Sequence, residues 1–294
     1  MGTLVIGASG LVGYEFYRQN KEKSDWHYTY RSVKLDDFTC LDAVDKEKTK
    51  QLIDELSPSL VIVPAAMAHV NKCETERELA YNGNVGVVKN VLSALQETTK
   101  GKIVFFSTDY LFDGEDGPYS EEAAPNPLNE YGRLKLQCEK EIINSGLEHL
   151  ILRTTGIFGW EKQRKNFMYR VIDTLSAGKD LVVPNDQLAN PTYVKDLVSA
   201  TMVLLEKDLN GVFNVAGPEV MSRDELAVRM AKFYNLNPGL VKGVLTSELG
   251  GLAPRPLKAG LKIDKITGLG IKMRVLEEAL GDMRKRKAEE DHYD

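Results

Sequence analysis

Tyr131 and Lys135, in the segment Tyr131-Gly-Arg-Leu-Lys135, stand four residues apart. On a helix that spacing puts a phenol and an ammonium on one face, within reach of a common ligand. A free phenol ionises near pH ~10 and is a poor acid or base at neutral pH. A nearby ammonium favours the phenolate, which would bring the group into a working range. The pattern recurs by chance on amphipathic helices, so it carries weight only with company. Company comes from Ile103-Val-Phe-Phe-Ser107-Thr108-Asp109-Tyr110, where an apolar run ends in hydroxyls and a carboxylate. A strand of this kind delivers its last side chains to the carboxyl edge of a parallel sheet, where such folds bind ligands. Thr108 is the expected third member of the set.

Those side chains need a sheet to hold them. The first half of the chain alternates short β-branched runs with longer helical stretches, the pattern of a parallel sheet covered by helices on both faces. It predicts strands from Thr3 to Ile6, Trp26 to Tyr30, Leu60 to Val63, Lys102 to Phe106 and Leu150 to Leu152. Helices are predicted from Leu11 to Asn20, Lys46 to Leu56, Glu78 to Thr98 and Tyr131 to Ser145. After about Gly156 the rhythm changes, with a helix from Asn166, a strand from Leu181 to Val183 and a helix from Tyr193 towards Lys207. Ser222-Arg-Asp-Glu225 has capping-box spacing and should open another helix. Pro254-Arg255-Pro256 marks an extended segment. From Met283 onward mixed charges predict a solvated helix end that frays.

Between the first strand and the first helix lies Gly7-Ala8-Ser9-Gly10-Leu11-Val12-Gly13. A glycine triplet alone is equally a tight turn, but at this place its backbone can approach a pyrophosphate at the helix N-terminus. The second strand ends in Arg31-Ser32, where an NAD-specific site would carry Asp or Glu. A guanidinium there can pair with a 2′-phosphate and Ser32 can add a hydroxyl donor, although Arg31 also suits a solvated surface. NADP(H) is therefore expected in preference to NAD(H), which the glycine loop itself would also accept. The expected organisation is a dinucleotide-binding domain over residues 1–155, with contributions from about 186–216, and a smaller substrate-binding lobe over 156–294.

Composition narrows the field further. A net charge of −5 without a long single-sign run leaves no electrostatic footprint for nucleic acid or an anionic membrane. No apolar run reaches the length of a membrane span, and the N-terminus enters a strand directly, so a cytoplasmic protein is expected. Cys40, Cys73 and Cys138 are isolated and the histidines are scattered, which predicts neither disulfides nor a metal site. Cys138 reads as a packed small apolar residue. His69, in the loop after the fourth strand, lies where a sugar or phosphate could enter, but a lone histidine reads first as structural or exposed.

Taken together, Ser107-Thr-Asp-Tyr-Leu-Phe-Asp-Gly114, Pro118-Tyr-Ser-Glu121, Pro125-Asn-Pro127, Tyr131-Gly-x-x-Lys135 and Glu139 resemble the dTDP-4-dehydrorhamnose reductases. These belong to the extended short-chain dehydrogenase/reductases, whose G-x-x-G-x-x-G loop the N-terminus also resembles. The resemblance continues through Asn166-Phe167, Asp186-Gln187-x-x-x-Pro191-Thr192, Asp196-Leu197 and Arg255-Pro256, and so spans nearly the whole chain. It implies an α/β, doubly wound Rossmann fold and hydride transfer from NADPH to C4 of a nucleotide-linked 4-keto-6-deoxy sugar, as in dTDP-L-rhamnose biosynthesis. It implies Tyr131 as proton donor and Lys135 on the nicotinamide ribose. Asp42 would lie near the adenine amino group, Ala65 and Ala66 on the nicotinamide side, and Asn84 near the cofactor. Thr108, Asp109, Tyr110, Asn166, Gln187 and Arg255 would meet the nucleotide-sugar substrate. Two-helix faces in this superfamily also make a homodimer compatible.

Three positions depart from the pattern. Gly156 stands where rhamnose-forming members commonly carry a tryptophan near the sugar. Pro64 replaces an asparagine and removes a backbone donor. Cys138 replaces a glycine. The regulatory β subunit of methionine adenosyltransferase belongs to the same subgroup, so a non-catalytic NADP-binding subunit is a second reading. A sugar-nucleotide 4-epimerase is a third. Dehydration is disfavoured, because Thr108-Asp109-Tyr110 lacks the second acid that dehydratases carry after this pair.

Overall fold

A strand covered on both faces needs a near-continuous apolar run, and Leu60–Val63 and Lys102–Thr108 supply two such runs, buried along almost their whole length. In the computed structural model, which describes residues 2–161 and 163–290, they sit side by side in a seven-stranded sheet. The strand order is Gly211–Asn214, His149–Thr154, Lys102–Thr108, Leu60–Val63, Thr3–Val5, Trp26–Tyr30 and Thr39–Cys40. Every pair is parallel. Thr3 pairs with Trp26 on one side and Leu60 on the other, so the winding reverses at the first strand. That reversal opens a crevice at the carboxyl end, the place where doubly wound sheets hold ligands. The expected α/β Rossmann architecture is borne out.

The predicted strands and helices of the first half are present with one exception. The helix expected from Glu78 to Thr98 is instead Arg77–Tyr81, a π-helical turn at Asn82–Gly86, and Val87–Glu97, preceded by a separate short helix at Val70–Thr75. Gly83 and Gly86 lie within the wider turn, where their lack of a side chain eases the local change of pitch. The Gly211–Asn214 strand was not foreseen either. It pairs with His149–Thr154 and closes that edge of the sheet.

The second lobe is built from three two-stranded ladders and the helices Phe167–Ser176, Arg223–Phe233 and Leu276–Glu290. Its own core gathers Met168, Val171, Leu175, Leu181, Val183 and Met230. The Val194–Glu206 helix returns to cover the sheet, burying Leu197, Val198 and Leu204 against Val5 and Ile62. The terminal helix corrects the expected fraying from Met283. Met283 is buried, and Arg286 donates 2.8 Å to Glu15 Oε1 and 3.3 Å to the Tyr193 hydroxyl. Glu15, on the first helix, is itself buried and needs that cation. The last part of the predicted tail, residues 291–294, lies outside the described residues. No helix among the described residues is long and apolar enough to cross a membrane.

Candidate active site

An open groove of about 740 Å³ follows the crevice at the winding reversal. Gly7, Ser9 and Gly10 form its floor, Arg31, Ser32 and Asp42 line one end, and Pro64, Ala65 and Ala66 line its far wall. Gly7 has φ +87°, and a Cβ there would stand 2.8 Å from that of Ala65. A Cβ on Gly13 would stand 2.6 Å from the Cα of Ala8. Both approaches let the loop and the Leu11–Asn20 helix close on the sheet. That helix starts at Gly10 with no side-chain cap, so its first-turn amides are left for an anion. Leu11 and Val12 contribute only backbone here, because their side chains pack against the second lobe's core.

Asn84 is buried in the π turn beneath the groove. Its Nδ2 donates 2.8 Å to Ala80 O and 3.4 Å to Met67 O, and its Oδ1 has no partner. Asn82 and Gly83, just before it in the π turn, line the groove. His69 caps the Val70–Thr75 helix, its Nδ1 accepting from Lys72 N at 3.4 Å, and is exposed at the groove. Gln163 and Lys165, from the second lobe, also line the groove, and Gln163 Nε2 donates 3.0 Å to Ser9 O. Motif reading misses both, since each is a lone polar residue brought in by tertiary approach.

The catalytic set assembles from two elements. Thr108 ends its strand opposite Thr154. The Glu130–Asn144 helix begins at Asn129, whose Oδ1 accepts from Gly132 N at 2.9 Å and whose Nδ2 donates 2.9 Å to Pro254 O. Gly132 lies so close to the Asp109–Leu111 turn that a Cβ would fall 2.1 Å from Tyr110 O. This approach brings the Tyr131 phenol beside the Thr108 hydroxyl, close enough for that hydroxyl to favour the phenolate. A buried ion pair holds the helix down further along, with Arg153 Nη2 and Nε donating to the two Glu139 oxygens at 2.8 and 3.1 Å.

The electrostatics correct one expectation. Enclosure by protein pushes the Tyr131 phenol well above its ordinary value, and Asp109 and Tyr110 add to the rise while the Thr108 hydroxyl opposes it. Lys135 is not among the main influences on it. The Lys135 ammonium turns away, donating 2.6 Å to Phe106 O and lying 4.2 Å over the Phe105 ring. Burial brings Lys135 down to about 8. Tyr131 is therefore a neutral phenol at neutral pH, ready to give a proton to a stronger base. Cys138, buried on the same helix, is pushed up to about 12 by burial and is an inert thiol.

A second, smaller cavity of about 50 Å³ lies between the lobes, walled by Asp109, Tyr110, Thr155 and Gly156 on the sheet side. Asp109 is buried, accepting from the hydroxyls of Thr155 at 2.7 Å and Thr108 at 3.2 Å, and burial raises it to about 6. Gly156 has φ +54°, a conformation that favours glycine. From the second lobe come Gln187, whose amide donates 2.9 Å to Thr246 Oγ1, and Phe167, Met221 and Arg223. Arg255 lies 5.9 Å over the Tyr110 ring and donates 2.9 Å to Asn71 Oδ1. Asn166 lines neither cavity. Its amide donates 2.8 Å to Gly159 O and 3.0 Å to Glu161, bracing the loop before the Phe167–Ser176 helix. Among the described residues no cluster of three or more metal-ligating side chains forms.

Residues 1–288 match the family described as the RmlD substrate binding domain. Methionine adenosyltransferase 2 subunit beta of Xenopus laevis is 31% identical over 281 residues, covering 92% of this chain and 83% of its own length. A hypothetical dTDP-4-dehydrorhamnose reductase from Sulfolobus tokodaii superposes with a TM-score of 0.85 at 35% identity, over 95% of this chain and 99% of that one. The dTDP-4-dehydrorhamnose reductase of Bacillus anthracis, solved in complex with NADP, gives a TM-score of 0.87 at 28% identity, over 97% and 100%. The resemblance expected from the Ser107 to Lys135 motifs is thus borne out, and the chain belongs to the RmlD substrate-binding domain family.

Proposed function

We propose that this chain is an NADPH-dependent reductase of the C4 keto group of a nucleotide-linked 4-keto-6-deoxy sugar. The observation that carries the reading is the closeness of the Tyr131 phenol to the Thr108 hydroxyl at the carboxyl edge of the sheet, one residue before Asp109 in the wall of the interlobe cavity. NAD(P) is the cofactor class, supported by the NADP complex of the Bacillus anthracis relative. The residues fit it. The uncapped helix start and the close glycine loop suit a pyrophosphate, and the exposed Arg31 and Ser32 suit a 2′-phosphate. Asp42 is within the groove for the adenine end, and Ala65 and Ala66 for the nicotinamide end.

When bound, the cofactor would supply a hydride to the carbonyl carbon. The chain's own work is to hold the carbonyl oxygen and deliver a proton to it. The Thr108 hydroxyl, which donates to Asp109, would turn its proton to that oxygen, and Tyr131 gives up its phenolic proton as the alkoxide develops. An alkoxide is a much stronger base than a phenolate, so the raised value of Tyr131 does not block the transfer. Lys135, held by Phe106 O, supplies positive charge beneath the site and a donor for the nicotinamide ribose. Asp109 accepts from a sugar hydroxyl.

The test mixes the purified chain with NADPH and dTDP-4-keto-6-deoxy-L-mannose, follows nicotinamide absorbance and identifies the sugar product by NMR. Reduction at C4 is expected, and a sugar recovered unchanged would sink the reading. The likeness to methionine adenosyltransferase 2 subunit beta favours a second reading, a regulatory NADP-binding subunit. That reading expects NADPH binding without turnover and altered kinetics of an added methionine adenosyltransferase.

A further inference from the structure

Among the described residues, every arginine of the second lobe except Arg223 makes a hydrogen bond or an ion pair. Arg229 meets Glu219 and Glu277, Arg274 meets Asp196, and Arg286 meets Glu15. Arg223 differs. Its guanidinium lies 4.8 Å over the Phe167 ring, it is half-buried, and among the described residues it makes no hydrogen bond or ion pair. It opens the Arg223–Phe233 helix and forms part of the wall of the interlobe cavity. The other charged group in that wall is Asp109, at the end of the catalytic strand. Asp224, its neighbour in sequence, accepts from the Ser222 hydroxyl instead of pairing with it.

A half-buried guanidinium without a counter-ion costs free energy that a bound anion would recover. Its planar donors match two oxygens of a phosphate group, and Phe167, Met221 and Leu226 give the cavity apolar walls. Arg223 shares a field with the catalytic end, since its charge opposes the burial-driven rise of Asp109 and Tyr110. Asp109 and Arg223 share the wall of this cavity, so a ligand whose sugar hydroxyl reaches Asp109 has the Arg223 guanidinium on the same wall.

We propose that Arg223 binds the diphosphate of the nucleotide-linked substrate and so selects for a charged nucleotide carrier over a free sugar. The assignment rests on the nucleotide-sugar reading above and adds a residue that no motif marks. No covalent step is involved.

The test is calorimetric titration of the full chain, saturated with NADP⁺, using dTDP, UDP, thymidine and inorganic phosphate as separate ligands, for the wild type, Arg223→Gln and Arg223→Lys. Loss of one charge-assisted contact should weaken dTDP or UDP binding by about 10- to 100-fold in Arg223→Gln, with Arg223→Lys in between. Thymidine affinity should not move. NADP⁺ affinity, read first, should match the wild type and shows that each variant is folded. Tight dTDP or UDP binding that Arg223→Gln leaves intact overturns the assignment while the nucleotide-sugar reading stands. Phosphate binding as tight as dTDP, and lost equally in Arg223→Gln, overturns it in favour of a simple anion site. A wild type that binds neither nucleoside diphosphate removes the nucleotide-sugar reading and this inference together.

Discussion

Two buried ionisable side chains set what pH should do to this protein. Lys135 is lowered to about 8 by burial, so its positive charge is present below that value and is lost as pH rises through it. The pH profile of kcat/KM should therefore fall above about pH 8, and Lys135→Arg should move that limb upward, since a guanidinium stays charged. An unmoved limb would take Lys135 out of the account. Asp109 behaves oppositely in stability terms. Its folded value, about 6, lies above the ordinary 3.8, so between the two the native state holds more protons than the unfolded state and stability falls as pH rises. Asp109→Asn should flatten that slope and gain roughly 2 kcal/mol at about pH 7, read from urea midpoints at about pH 4 and 7. Because one helix carries both, Tyr131 and Lys135 were legible from their spacing, but only together with the hydroxyl-rich strand end at Ser107-Thr108. Their mutual influence was not, because spacing assigns a face but not the carbonyl towards which an ammonium turns. Arg223, Gln163 and Lys165 carry no local signal at all.

Among the elements, the Glu130–Asn144 helix decides whether the site exists. Its approach to the Asp109–Leu111 turn leaves no room at Gly132, where a Cβ would overlap a backbone carbonyl at 2.1 Å. Gly132→Ala should push the helix off the turn, cost roughly 1–3 kcal/mol in stability as an overpacked site does, and lower kcat more than it raises KM for NADPH. A variant with wild-type kcat would show that the close approach is not what aligns Tyr131 with Thr108. The alternation of strand and helix was readable from apolar runs and capping residues. The π turn at Asn82–Gly86 was not, since its sequence reads as an ordinary helix weakened by glycines. The Gly211–Asn214 strand is four residues long, and only its pairing with His149–Thr154 makes it part of the sheet.

At the scale of the whole molecule, the second lobe is tied back to the dinucleotide side at both ends of its sequence. Gln163 reaches Ser9 beside the glycine loop, and the terminal helix supplies Arg286 to the buried Glu15. Removing one member of a buried pair strands the other charge, so Arg286→Gln should lower stability by roughly 3 kcal/mol and reduce Tm, as calorimetry would record. An unchanged Tm would mean that Glu15 finds solvent without the helix. Sequence charge patterning missed this, because an arginine among lysines and glutamates reads as solvated until a distant acid claims it. The resemblance of the motifs to a reductase family covers both lobes, which is why the overall architecture was readable even where local signals failed.

The central claim is that Thr108 and Tyr131 hold and protonate a carbonyl oxygen while a hydride reaches its carbon. Single-turnover mixing of the NADPH-loaded chain with dTDP-4-keto-6-deoxy-L-mannose, comparing the wild type with Tyr131→Phe, tests it most directly. Rapid NADPH oxidation in the wild type, slowed by about 10²- to 10⁴-fold in Tyr131→Phe with NADPH affinity unchanged, is the predicted result. Equal rates in the two proteins, or NADPH bound tightly by the wild type and never oxidised, would contradict it.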